Sequence, residues 1–519
     1  MTEQKKLPVG IQTLSKIRQG NYYYVDKTRL ALSLIENGTH YFLSRPRRFG
    51  KSLFLDTLKE LFEGNRALFE GLTVYPKWDW SVQYPVLRFS FGRKNYNNQQ
   101  SLQESLHQQL THIEQTFDVV RQFDDADSRF ADLIDKITAR TTLPVVILVD
   151  EYDKPILDAI RTPDMARENR DLLRGFYSTI KDYDAKIKFS FLTGVSKFSK
   201  VSLFSGLNNL YDITLDPHYS TICGYTDHDI DTTFAAELAG LDREEIRQWY
   251  NGYRWLGEAV YNPFDILQLF KTRSFQNYWF ETGTPTFLVD LLLERQVPTL
   301  QLNNMFSSSA MLSSFDVDDM TTEALLFQTG YLTIKEEENL GGQLFYTLGY
   351  PNREVYQSLN EHLLSSLVQD KSKQAMQSSQ LYRLLLVNDF ERLKALFQSF
   401  FSSIPYNWYS HSNIQNYEGY YASVFYSYFA SLGLNVTVED ATNLGRIDMT
   451  LSFNHQIYIF EFKVVELAPD GKALQQIIDK AYAEKFAAQG KTIHLIGVEF
   501  SKDNRNIVGF EVETRQRKA

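Results

Sequence analysis

The sequence predicts an α/β protein in three stretches: a parallel sheet with helices on its faces over residues 1–215, a mostly helical middle over 216–404, and a second α/β unit over 405–519. Three observations carry this. Short apolar runs alternate with helical patterns up to about residue 215. One run, Pro144-Val145-Val146-Ile147-Leu148-Val149, is continuously apolar, as a strand buried on both faces must be. And Phe42–Ser52 reads FLSRPRRFGKS, a strand running into a basic loop and then a helix.

Taken in order, the strands expected in the first stretch are His40–Leu43, Pro85–Phe91, Pro144–Val149, Lys186–Thr193 and Leu210–Leu215, with helices such as Ser101–Phe117 and Asn169–Asp182 between them. Asn208 and Asn209 read as turn formers. In the middle, Asp227–Leu238, Asp242–Tyr250, Phe264–Lys271 and Tyr356–Val368 read as helices, Tyr331–Lys335 with Leu344–Leu348 as a hairpin, and polar Asp370–Gln380 as a loop or exposed helix end. A winged-helix-like lid is one arrangement open to it. The last stretch reads helix (Ile414–Ala430), strands Asn435–Glu439, Arg446–Phe453 and Ile457–Lys463, helix (Lys472–Gln489) and strand Thr492–Phe500.

The 519 residues suffice for several domains, and a hydrophobic content of 43% supports real cores. A lone cysteine, Cys223, excludes an internal disulfide and fits a reducing compartment. The polar start MTEQKKLPVG has no apolar signal segment, and no apolar run approaches the ~20 residues of a membrane span. A cytoplasmic protein without a membrane partner is therefore expected. The net charge of −10 argues against coating nucleic acid by bulk charge, yet leaves room for a site where a metal brings its own positive charge to a phosphate.

Gly50-Lys51-Ser52 has the chemistry of a phosphate-binding loop. Main-chain N–H groups at a helix start cradle phosphate oxygens, the lysine spans the β- and γ-phosphates, and the serine hydroxyl ligates Mg²⁺. Arg45 stands where such loops usually carry their first glycine. Arg45, Arg47 and Arg48 are expected to add positive charge beside the phosphates, and Arg47, Arg48, Phe49, Gly50, Lys51, Ser52 and Asp150 to hold the nucleotide. The buried run Val145–Val149 ends in Asp150-Glu151. Asp150 would hold Mg²⁺ together with Ser52, and Glu151 would orient or deprotonate the attacking water. Thr193 or Ser196, at the end of the next strand, would sense the γ-phosphate, and Lys197 and Arg254 are candidate γ-phosphate cations.

A second constellation lies near the C-terminus. Asp448 sits in a strand with alternating Ile447, Met449, Leu451 and Phe453, and the period of two puts Glu461 and Lys463 on one face of the following strand. Asp448 shares that face only if paired residue numbers in the hairpin sum to an odd number. Asp448 and Glu461 are hard oxygen ligands suited to Mg²⁺ or Mn²⁺, and Lys463 would orient or help deprotonate a water or stabilise a pentavalent phosphate. Glu418, on a helical face with Tyr421, Ala422, Phe425 and Phe429, is a candidate third ligand. Gln475, Gln476 and Tyr482 read as ordinary helix surface and core, with support of the site or contact with DNA as the alternative.

These residues resemble a bacterial family of AAA-ATPase-like proteins with a C-terminal PD-(D/E)xK nuclease domain. The likeness spans nearly the whole chain: Tyr24-Val25-Asp26-Lys27-Thr28, the RPRRFGKS loop, Asp150-Glu151-Tyr152-Asp153-Lys154-Pro155, Leu192-Thr193-Gly194-Val195, Tyr250-Asn251-Gly252-Tyr253, Tyr261-Asn262-Pro263-Phe264, Thr282-Gly283-Thr284-Pro285, Gly349-Tyr350-Pro351-Asn352, Gly445-Arg446-Ile447-Asp448 and Glu461-Phe462-Lys463. Arg45 in place of glycine is typical of that family. The resemblance implies a restriction-endonuclease-like fold for residues 405–519, ATP as the nucleotide with Glu151 as the catalytic group of its hydrolysis, and a nuclease with Asp448, Glu461 and Lys463 as catalytic groups, acting on nucleic acid, DNA before RNA. An alternative stays open: a nucleotide-dependent switch whose C-terminal domain binds nucleic acid or a protein partner without cleaving. From Pro405 onward 11 Lys and Arg face 13 Asp and Glu, a net of −2, which favours that alternative. Oligomeric state is equally open, as no arginine finger can be assigned.

Overall fold

The structure, a computed structural model of the chain, describes residues 5–96, 98–197, 209–283, 288, 291–292, 295, 297, 299–313, 317, 320–367, 371–404 and 418–516. Asn208, Thr284-Pro285, Val368, Asp370 and the start of the helix expected from Ile414 lie outside the described residues. The chain divides into two compact units: Met1–Gly283 with Asn304–Asn352, and Thr284–Asn303 with Arg353–Ala519. Residues 216–404 are thus shared between the two. Among the described residues no helix is long and apolar enough to cross a membrane.

The first unit is built on five strands: β1 (His40–Ser44), β2 (Val86–Ser90), β3 (Val145–Asp150), β4 (Ile187–Gly194) and the two-residue β5 (Tyr211–Asp212). They form a parallel sheet in the order β2-β3-β4-β1-β5. β1, β3 and β4 are buried along nearly their whole length; β3 is a continuous apolar run, whereas β4 intersperses Lys188, Ser190 and Thr193 among its apolar residues. β4 separates β1 from β3, so the basic loop and Asp150-Glu151 leave the same edge of the sheet one strand apart. The strand expected over Leu210–Leu215 shrinks to β5, because Asp216 and Pro217 turn the chain into a short 3-10 helix. Ala235–Leu238 is likewise a separate 3-10 turn after the Asp227–Thr233 helix, which a Thr226–Asp229 capping box opens.

Arg45, expected beside the phosphates, is instead part of this core. It is fully buried, its Nη1 donates to Ser44 O (2.8 Å) and Thr214 O (2.9 Å), its Nη2 donates to Tyr219 O (3.4 Å), and its guanidinium lies 4.0 Å from the Trp255 ring centroid. Burial lowers its pKa to about 10. Carbonyl oxygens and an aromatic face replace the water a guanidinium would otherwise need. The same unit carries a three-stranded antiparallel sheet, β6 (Met305–Ser308), β7 (Thr333–Leu340) and β8 (Gln343–Gly349), beside the helix Thr322–Thr329.

The second unit is a five-stranded mixed sheet of β9 (Asn435–Ala441), β10 (Arg446–Phe453), β11 (Gln456–Val465), β12 (Thr492–Ser501) and β13 (Asn506–Arg515), ordered β13-β12-β11-β10-β9, with only β11–β12 parallel. Strand periodicity splits its side chains between two cores. Tyr458, Phe460 and Phe462 pack with Phe425 and Phe429 of the helix Glu418–Ser431, whereas Ile457 and Ile459 pack with Ile477 of the helix Lys472–Asp479. That second helix comes close to β12 because position 497 is glycine: a Cβ there would stand 2.3 Å from Leu474 N. Its N-terminus is held by buried Glu499, which accepts the N–H groups of Asp470, Gly471 and Ala473. The helix expected as Lys472–Gln489 breaks at Lys480–Ala481, where Ala481 has φ +49°, and resumes at Glu484–Ala487. The polar run before Gln380 forms the first turns of the helix Lys371–Val387, anchored further along by buried Leu381, Leu384 and Leu385. β13 was not expected, although Val508, Phe510 and Val512 alternate in the sequence.

Replacing Arg45 by glycine would install the residue such loops usually carry. It is nevertheless expected to destabilise the first unit by ~3 kcal/mol or more, since it strips buried carbonyls of their partner and leaves a cavity over Trp255. Chemical denaturation of wild type and Arg45→Gly, followed by tryptophan fluorescence, checks this.

Candidate functional sites

In the first unit, Gly50 (φ +96°) is the N-cap of the helix Lys51–Phe62, and that left-handed turn aims the first helical N–H groups back at the loop. Lys51 is buried, and its Nζ donates to Arg45 O (2.8 Å) and Pro46 O (2.9 Å). Burial lowers its pKa, opposed by Glu151 and Asp150. The Phe49 ring stacks edge-on against Tyr253 and Trp255, so only its main chain is available to a phosphate. Arg48 lies over the Phe264 ring (4.9 Å), and Arg47 O accepts the Trp279 indole N–H (3.0 Å).

Across β4, Asp150 is buried and accepts the Thr193 hydroxyl (3.0 Å), which brings the polar end of β4 against the first acid of the pair. Glu151 has φ +53°, uncommon for a residue with a side chain, and its carboxylate lies against Gly92. Burial raises its pKa, with Lys51 pulling the other way. Asp153, buried two residues on, accepts the N–H of Val195 (3.0 Å) and both the N–H and hydroxyl of Ser196 (2.6 Å each), which ties the β3 turn to the end of β4. Ser196 is therefore committed to Asp153. Lys197 pairs with Asp212 at 2.5 Å, and Arg254 reaches the carbonyls of Gly257 and Lys335, so neither expected γ-phosphate cation is brought to the loop.

A cavity of about 550 Å³ opens here, lined among others by Arg47, Arg48, Gly50, Lys51, Ser52 and Glu151. Its size is that of a small-molecule site. A second, of about 760 Å³, meets it at Ser52 and Glu151 and runs between the helices Lys51–Phe62 and Gln99–Thr116 over β2. Ser52 and Glu151 thus stand at the junction, and Asp150 lines the second cavity.

In the second unit, β10 and β11 are antiparallel with Met449 opposite Phe460, an odd-sum register that, continued one step, sets Asp448 across from Glu461. Asp448 Oδ2 accepts the Phe462 N–H (2.8 Å). Lys463 Nζ stands 3.4 Å from Glu461 Oε1 and 3.4 Å from Glu418 Oε2, and Glu418 Oε1 also accepts the Val464 N–H (3.4 Å). The four expected residues are therefore together. Glu418, half exposed at the start of its described helix, reaches the group by way of Lys463.

Glu461 is the most perturbed of them. Its side chain is 1% exposed, and its pKa is pushed up to about 7, first by burial and then by the nearby Asp448 charge, with Lys463 opposing. Burial also raises Asp448. Lys463 is raised too, because Glu418, Glu461 and Asp448 outweigh its own burial. Glu461 Oε1 accepts from Gln476 Nε2, while Glu461 Oε2 is buried with no hydrogen-bond partner among the described residues. Gln476, expected to be helix surface, is thus a partner of the acid. Tyr482 holds the neighbouring strand by donating to Arg446 O (2.7 Å). The spacing of Gln476 from Ile477, which faces the sheet, was the available signal.

A lone oxygen on a buried carboxylate fits a cation, and the hard oxygen donors of Asp448 and Glu461 suit a divalent one. Among the described residues, however, no group of three or more His, Cys, Asp or Glu side chains is arranged to hold a metal ion. Lys463 stands between Glu418 and Glu461, which keeps the third acid apart from the other two.

A parallel sheet with a Gly-Lys-Ser turn in one unit and an acid–lysine hairpin on a mixed sheet in the other define an α/β protein of two compact units. Residues 8–204 match the family described as a predicted AAA-ATPase, and residues 416–510 match the PD-(D/E)XK nuclease superfamily. The chain belongs to the family that joins these two domains. A protein of Azotobacter chroococcum mcd 1, described as an uncharacterized protein in the vnfD 5'region, is 59% identical over 512 residues, covering 98% of this chain and 99% of that protein.

Because the folded-state pKa of Glu461 stands above its ordinary value of 4.5, its contribution to stability is complete below pH 4.5 and is lost as the pH rises through about 7. Glu461→Gln is therefore expected to stabilise the metal-free protein above pH 7, by on the order of 1–3 kcal/mol. The gain should vanish below pH 4.5. Thermal unfolding with chelator across this range is the measurement.

Proposed function

We propose that the chain binds and hydrolyses ATP in its first unit, and that this is coupled to a metal-dependent nuclease in the second that cleaves nucleic acid phosphodiesters, DNA before RNA. The observation that carries the nuclease reading is the convergence of Asp448, Glu461 and Lys463 on one face of a hairpin, with one buried oxygen of Glu461 left unpartnered. Asp448 and Glu461 would hold Mg²⁺ or Mn²⁺, with Glu418 as a third ligand. The cation would activate a water and offset phosphate charge. Lys463 would orient that water or stabilise the charge developing on the phosphate, and Gln476 would fix the Glu461 carboxylate. In the first unit, main-chain N–H groups after Gly50 would cradle the phosphates with Lys51, Ser52 and Asp150 would hold Mg²⁺, and Glu151 would orient the attacking water.

A second reading keeps the nucleotide chemistry but gives the C-terminal domain a binding role without cleavage. It is favoured by the separation of Glu418 from the other two acids and by the net charge of −2 after Pro405.

Purified protein is expected to release phosphate from ATP and to cut plasmid, linear duplex or single strands with Mg²⁺ or Mn²⁺. Lys51→Ala should abolish the first activity. Asp448→Ala and Lys463→Ala should each lower cleavage ~100-fold or more. Wild-type cleavage by Asp448→Ala would end the nuclease assignment. Calorimetric titration of the full chain with Mn²⁺ separates the readings: heat lost in Asp448→Ala supports catalysis, and no binding in wild type supports the binding role.

A further inference from the structure

The nucleotide cavity carries one cation that neither the phosphate loop nor the acid pair accounts for. Lys154 opens the short helix Lys154–Leu157, and its main-chain N–H donates to Glu151 O (3.1 Å). Its side chain is 18% exposed and lines the cavity together with Lys51, Ser52 and Glu151. The ammonium is paired at 2.5 Å with Asp158, whose side chain lines the same cavity and accepts the Tyr96 N–H at 3.2 Å. Lys51 and Lys154 therefore approach the cavity from different strands, one from the end of β1 and the other from the end of β3, with β4 between them.

The pairing suits an exchange. Lys51 is satisfied by neutral carbonyls, but Lys154 is balanced by a carboxylate in a space that would receive a polyanion. A triphosphate carries more charge than a single carboxylate, so its oxygens compete with Asp158 for an ammonium on a flexible stem. Lys197 and Arg254, the cations expected at the γ-phosphate, are engaged elsewhere.

Resting on the reading of this cavity as the nucleotide site, we infer that Lys154 is a catalytic residue of triphosphate hydrolysis, with Asp158 as the group that holds it in the absence of a terminal phosphate. When the triphosphate binds, the ammonium leaves Asp158 for the γ-phosphoryl oxygens. Water oxygen forms the new bond to phosphorus, the bond from phosphorus to the β–γ bridging oxygen breaks, and the diphosphate leaves with that electron pair. The proton from water passes to Glu151. Lys154 neutralises the charge on the phosphoryl oxygens in this step.

The test measures ATP hydrolysis, and ATP and ADP affinities, on the full chain. Lys154→Met is expected to lower kcat ~100-fold and to weaken ATP binding while leaving ADP binding unchanged. Lys154→Arg should restore part of the rate. Asp158→Asn should increase the preference for ATP over ADP, since the lysine no longer has a competing carboxylate. A wild-type kcat and ATP/ADP ratio in Lys154→Met would overturn the inference. So would equal losses of both affinities with a lowered melting temperature, the mark of a purely structural ion pair. Loss of hydrolysis in Lys51→Ala with none in Lys154→Met would sink this inference alone, whereas a wild type that neither binds nor hydrolyses ATP would sink the nucleotide reading along with it.

Discussion

Charges held out of water must find partners, and that constraint orders the chemistry of both units. A buried ion without compensation costs several kcal/mol, so each such group marks either a solved structural problem or a place left for a ligand. Arg45 is largely compensated, by carbonyls of Ser44, Thr214 and Tyr219 and by the Trp255 face, with its Nε alone unpaired among the described residues. Asp153 is solved by Val195 and Ser196, and Glu499 by a helix N-terminus. Glu461 is solved by half: Gln476 takes one oxygen, and the other has no hydrogen-bond partner among the described residues. Glu151 is held in a left-handed conformation with a raised pKa where two cavities meet.

The fold was legible where side-chain direction follows from backbone period. Short apolar-rich runs gave β1, β3 and β4 within a residue or so of their ends, the continuous one being β3, and the odd-sum condition at the β10–β11 hairpin needed nothing beyond the period of two. Strand ends were legible for the same reason, since an acid or hydroxyl after a buried run has to emerge at the sheet edge. Asp150 and Thr193 meet there.

What the sequence hid were the destinations of long side chains. Arg45, Lys197 and Arg254 each have a reach of several ångströms, and their partners come from distant segments: Thr214 and Trp255 for Arg45, Asp212 for Lys197, Lys335 for Arg254. Proximity to a phosphate loop along the chain says little about which of these will win. Gln476 was hidden for a related reason. Its helix shows an apolar side by period, but which polar neighbour of Ile477 overlies Glu461 depends on how closely the helix sits on the sheet. That distance is set by Gly497, twenty residues away.

The two ammonium groups at the proposed centres are prepared differently, and the difference bears on what each can do. Lys51 is held by two loop carbonyls at 2.8 and 2.9 Å, with no acid to give up. It is oriented before any ligand arrives, and burial lowers its pKa against the pull of Glu151 and Asp150. Lys463 is shared between two carboxylates at 3.4 Å each, beyond the ~2.7–2.9 Å of a strong charge-assisted bond. It is balanced electrically but loosely held. A positive charge at Glu461 would repel the ammonium and take over its balancing of the acids, leaving Lys463 to turn to an anionic substrate. Lys51 is thus set by neutral carbonyls, unlike Lys154 with Asp158 in the same unit, whereas Lys463 is neutralised by its own acids.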